Sequence, residues 1–72
     1  MVEVILSAMA GFPSNFQVQI NATMALRNMS KQEENIVVLN TEHDLVEIVL
    51  NQAMTRFPEC EQNCREVLDA LA

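Results

Sequence analysis

Cys60 and Cys64 stand four residues apart, a spacing that places two thiols on successive turns of one helix. A zinc site needs about four ligands, and the single remote His43 does not complete one. A disulfide between successive turns of one helix has poor geometry. The pair therefore reads as reduced, with at least Cys64 in the core. Reduced cysteines suit the cytoplasm or the nucleus. His43, between Glu42 and Asp44, has neither the nucleophile nor the desolvated pocket that acid–base or pH-sensing work requires, and reads as an exposed turn residue. Glu33, Glu34, Glu42, Asp44, Glu59 and Glu61 fall in the first turns of expected helices, where carboxylates favour the helix dipole. Paired-carboxylate catalysis would also need an apolar shield, and the pattern supplies none. Asn21-Ala-Thr23 and Asn28-Met-Ser30 match the glycosylation sequon but lie inside an expected packed helix. No catalytic, cofactor or metal set emerges, and the expectation is a non-enzyme.

Composition narrows the remaining classes. The chain has 72 residues, a single domain's worth, with 50% apolar and 19% charged residues and a net charge of −6. It is too apolar for a disordered tail. It has too little Gly and Pro for a low-complexity chain, and too few cysteines for a disulfide-stapled scaffold. Arg27, Lys31, Arg56 and Arg65 are scattered among ten acids, so a nucleic-acid partner is not expected. No stretch approaches the ~18 apolar residues of a membrane span, and residues 1–10 lack the basic start of a targeting signal. A domain this small buries only about 60% of its extended-chain surface. Its high apolar content therefore implies very efficient packing or apolar surface meant for a neighbour.

Apolar spacing predicts five helices. Residues 2–10 form the first, although its β-branched start also allows a strand; Gly11 and Pro13 end it. Ser14, with Gln17 three residues on, caps a helix over 15–29, in which Val18, Ala22, Ala25, Leu26 and Met29 make the buried stripe. Ser30 with Glu33 opens a short helix over about 31–39. Thr41 with Asp44 opens another, which runs through Val46, Ile48, Val49, Leu50, Ala53 and Met54 and stops near Arg56, before Pro58. Residues 59–71 carry Cys60, Cys64, Val67, Leu68 and Leu71 on one face.

The chain also repeats itself. Val2-Glu-Val-Ile-Leu6 returns as Val46-Glu-Ile-Val-Leu50, 44 residues on. Ala8-Met9 and Phe12-Pro13 return as Ala53-Met54 and Phe57-Pro58, 45 residues on. Ala22, Leu26 and Met29 return as Cys64, Leu68 and Leu71, 42 residues on. A period of this length, with one short and two longer helices per unit, lies in the armadillo and HEAT range. Equivalent methionines point to a repeating core, with Met24 the exposed exception. The run from Val18 and Gln19 through Ala22, Ala25, Leu26, Arg27, Asn28, Met29 and Ser30, followed by Glu-Glu-Asn-Ile, resembles the third helix and inter-repeat turn of an armadillo repeat. HEAT repeats share much of this pattern.

The resemblance spans the whole chain and implies an all-α, right-handed solenoid of about one and two-thirds repeats. Residues 1–30 would be the second and third helices of one unit, and residues 31–72 a complete unit. It further implies binding of a protein or peptide, or scaffolding within a longer array. Stacked third helices would line the partner face with Met24, Arg27 and Asn28 in one unit and Glu66, Asp69 and Ala70 in the next. Two departures stand out. Leu39-Asn40-Thr41-Glu42-His43 has no glycine between the first and second helices. Asn28 matches the peptide-clamping Asn of armadillo proteins, but Met24 replaces its Trp, and Ala70 is not an Asn. The acidic balance points to a basic partner segment, and exposed ends point to neighbouring repeats or self-association. The rival expectation is a small self-contained helical bundle, alone or as a homodimer, with no partner groove.

Overall fold

The computed structural model describes residues 1–71. It contains helices α1 (Val2–Gly11), α2 (Phe16–Met29), α3 (Glu33–Thr41), α4 (His43–Arg56) and α5 (Glu61–Leu71), with a 3-10 turn over Pro58–Cys60 before α5. Among the described residues there is no strand, so the strand reading of residues 2–6 falls away. α1 packs on α2 and α4, and α5 packs on the same two helices. α3 connects the halves and touches α1, α4 and α5.

Helix ends lie close to the expected places, but other groups close them. The α2 N-cap is Asn15, whose Oδ1 accepts from the Val18 N–H at 3.0 Å, while Ser14 Oγ accepts from Arg56 at 2.8 Å. Ser30 closes α2 rather than opening α3: its buried hydroxyl donates to the Arg27 carbonyl at 2.7 Å. Thr41 remains inside α3 and donates back to the Val37 carbonyl at 3.0 Å. A hydroxyl at a helix end can reach the carbonyl a turn earlier as well as an amide a turn later, and here the earlier turn wins twice. Gln32 and Glu42 take the N-cap positions of α3 and α4 without a side-chain cap. Pro58 ends α4 as expected; the Phe57 N–H still reaches the Ala53 carbonyl at 2.8 Å.

Buried Val2, Leu6 and Met9 of α1 meet Val46, Val49, Leu50 and Ala53 of α4, with Ala22, Leu26, Leu39, Cys60, Cys64 and Val67 completing one core. Burial corrects the pairing of Met9 with Met54. Met9 and Ala53 are buried, whereas Met54 is half-buried. The 44-residue offset that relates Val2 to Val46 and Leu6 to Leu50 therefore continues to the helix end, as an uninterrupted helical period requires.

Candidate functional site

α2 and α5 carry all the residues expected on a partner face, and the two helices lie side by side. A chain of polar contacts joins them. Asn63 of α5 donates from Nδ2 to Thr23 Oγ1 at 3.3 Å, and its Oδ1 accepts from Arg27 at 3.0 Å. Arg27 also lies 3.8 Å from a carboxylate oxygen of Glu66. Thr23 donates to the carbonyls of Gln19 and Ile20 at 2.8 and 3.1 Å. Gln19 extends the chain to α1, donating from Nε2 to the carbonyls of Met9 and Phe12 at 3.1 and 2.9 Å. Gln19, Thr23 and Asn63 are all buried, and the Gln19–Met9, Thr23–Gln19 and Asn63–Thr23 contacts are made away from competing water.

Arg27 and Glu66 are thereby brought together across α2 and α5. Their ion pair is partly solvated and links the helices more than it stabilises them. The Arg27 guanidinium points into this seam, where its Nε is buried without a hydrogen-bond partner among the described residues. Met24 is 43% exposed, Asn28 and Asp69 are exposed, and Ala70 is half-buried. Glu66 also accepts from Gln62 at 3.2 Å. The seam thus binds Arg27 and Glu66 to each other and leaves Met24, Asn28 and Asp69 facing solvent.

Gln19, Thr23 and Asn63 did not emerge from sequence reasoning. Of the expected α2 stripe, Ala22 and Leu26 are buried and Val18, Ala25 and Met29 only half-buried; Gln19 and Thr23 complete the buried face. The buried face is rotated by about one residue. The available signal was the run Gln19, Ala22, Thr23, Leu26, Ser30, whose spacing follows one helix face and whose small residues permit close helix approach.

Both cysteines are free and fully buried. Burial pushes the Cys64 thiol up from 9.0 to about 12, with the neighbouring Cys60 adding to the rise. Cys60 is also raised, by burial and by Glu59, against a lowering hydrogen bond from Thr23. Below pH 9.0 the Cys64 thiol keeps its proton in both states. Between 9.0 and about 12 the unfolded chain loses that proton while the folded chain holds it, so stability should fall across this window. Below the window, iodoacetamide should label both thiols only as fast as the chain unfolds. Rapid labelling of folded protein, or flat stability above pH 9.0, would contradict the burial.

His43 is exposed at the α3–α4 junction, beside Asn40, Thr41, Asp44 and Leu45 in a shallow depression. Among the described residues, no three potential metal ligands cluster, and no helix is long and apolar enough to cross a membrane. The chain matches no family model, no curated protein and no solved structure.

Proposed function

We propose that the chain is a non-catalytic protein-binding or scaffolding segment of an armadillo-like helical array, working in the cytoplasm or nucleus without cofactor or metal. The observation that carries it is the packing of repeat-equivalent helices on one another, α1 beside α4 and α2 beside α5. Ala10 and Pro13 share a groove with Asn51, Gln52, Thr55 and Arg56, and Arg56 reaches Ser14. Equivalent levels of α1 and α4 therefore stand abreast, the relation that a solenoid propagates. α2 and α5 then play the paired third helices, with Met24, Asn28 and Asp69 open to the partner alongside the Arg27–Glu66 pair and half-buried Ala70. A net charge of −6 favours a basic segment, and the armadillo resemblance implies an extended one.

An NMR titration with a Lys/Arg-rich peptide containing prolines, which cannot become helical, tests this. The amides of residues 24, 27, 28, 66, 69 and 70 should shift together. Asn28→Ala should leave the melting temperature nearly unchanged, because the side chain is exposed, and should weaken binding by no more than about tenfold. Shifts confined to other helices, or unfolding by Asn28→Ala, would remove the assigned face.

The second reading, a self-contained bundle, is favoured by one observation. The Cα radius of gyration of 10.6 Å lies close to the ~11 Å of a compact free-standing domain of this length. Sedimentation separates the two: a repeat segment with exposed apolar ends self-associates as concentration rises, whereas a self-contained monomer does not.

A further inference from the structure

We infer that the outer surface of α1 and α4 is a second docking site, and that its occupant is an amphipathic helix with basic flanks from a protein partner. Val4 and Ile48 are 67% and 54% exposed. They fall opposite the faces that bury Val2, Leu6 and Met9 in one helix and Val46, Leu50 and Ala53 in the other. They are also repeat equivalents on helices that pack together, with their C-terminal ends abreast. Met1 and Leu45, a second equivalent pair, are exposed a turn away. Val37, also exposed, stands on α3, which packs against both helices. Single exposed apolar residues are commonplace, but paired ones recurring at the same repeat position on adjacent helices make a patch.

Charge identifies the occupant. α1 and α3 contain no Lys or Arg, and α4 contains only Arg56, at its far end and engaged with Ser14. Glu3, Glu33, Glu34, Asp44 and Glu47 lie on these same helices, all exposed. On the opposite side Arg27 and Arg65 are paired with Glu66 and Glu61. Glu3 lies 3.8 Å from the N-terminal ammonium; Asp44 and Glu47, on the helix that carries Ile48, and Glu33 and Glu34 on α3 leave the excess charge of these helices negative. A second copy of the chain would set two such acidic surfaces against each other, which costs free energy. A partner with apolar residues at i, i+3, i+4 and i+7 and Lys or Arg beside them satisfies both features. A helix laid along α1 and α4 would place its apolar residues on Val4 and Ile48 and its basic flanks toward Asp44 and Glu47.

The probe is a fluorescent Leu/Lys peptide of about four helical turns, with two controls: the same composition in scrambled order, and a Leu/Glu version. Anisotropy should show binding of the Leu/Lys peptide that weakens as salt rises, and little binding of either control. Val4→Gln with Ile48→Gln should weaken it by about tenfold or more, with an unchanged helical circular-dichroism spectrum. Glu3→Gln with Glu47→Gln should flatten the salt dependence. Met24→Gln, on the α2–α5 side, should have no effect. In the unaltered chain, the Val4 and Ile48 methyl resonances should shift on titration. Equal binding by the Leu/Glu peptide overturns the charge assignment. Loss of binding in Met24→Gln but not in the Val4/Ile48 variant moves the peptide to the α2–α5 face. A dimer that the Val4/Ile48 variant turns into a monomer identifies the occupant as a second copy. Each of these last two outcomes also overturns the inference.

Discussion

Leu26→Ala should remove about 2–5 kcal/mol of stability, and Leu68→Ala distinctly less. Leu26 is fully buried in the last turn of α2, a helix that packs on both α1 and α5. Truncating it leaves a cavity between three helices that cannot all collapse onto it. Domains of this length hold about 4–10 kcal/mol in total, so the variant should melt ~10 °C or more below the unaltered chain. Repeat position alone equates Leu68 with Leu26. Yet Leu68 is only half-buried, because no helix follows α5 among the described residues to cover the face that α5 covers on α2. Truncation there removes fewer contacts and opens a void that water can enter. Thermal and urea melts of both variants decide the matter. No loss at Leu26 would refute the packing of α2, and equal losses would mean that the open side of Leu68 is covered in solution by a second copy.

Much of this fold can be read directly from residues. The five helices follow from apolar spacing, from Pro13 and Pro58 as breaks, and from the repeated Val2–Leu6 and Val46–Leu50 strings. The details that escaped share a physical cause. Ser14, Ser30 and Thr41 each carry a hydroxyl that can close the helix before it or open the one after it, and the local pattern is the same in both cases. Only the backbone beyond the cap decides, and it chose Asn15 for α2 and the preceding carbonyls for Ser30 and Thr41. Ile48 belongs to the apolar pattern of α4 yet faces solvent. Hydrophobicity identifies a buried residue only where a neighbour covers it.

The interhelix seam was harder to read. Gln19 and Asn63 are residues that composition assigns to surfaces, and no local pattern distinguishes a buried amide from a solvated one. What buries them is the meeting of α2 with α5 and with the end of α1, across sequence separations of 36, 40 and 10 residues. Arg27 was expected to face a partner because of its place in the armadillo-like pattern. The same guanidinium has Asn63 and Glu66 within reach inside the chain, and that intramolecular choice depends on α5, which the local run around Arg27 does not contain.

Gln19 offers the sharpest test of that seam. Its Nε2 donates to two carbonyls, but their need is unequal. The Phe12 carbonyl also accepts from the Asn15 N–H at 3.1 Å. The Met9 carbonyl lies in the last turn of α1, where helical partners run out. Gln19→Leu keeps the volume and strands the Met9 carbonyl, and should cost about 1–3 kcal/mol. Gln19→Glu should cost more, because an ionised carboxyl has no donor and would be buried facing carbonyl oxygens. The introduced carboxyl would have its folded-state pKa raised above the unfolded value of about 4.3. Its penalty is therefore full at pH above the folded-state value and vanishes below the unfolded one, where the protonated acid can donate as the amide did. Unfolding of the two variants compared from neutral to mildly acidic pH should show the Glu variant gaining on the Leu variant as pH falls. Because both share every other titrating group, the changing net charge cancels from that difference. A gap that stays constant with pH would mean that the side chain at position 19 swings out to solvent, and that α1 is held to α2 by apolar packing alone.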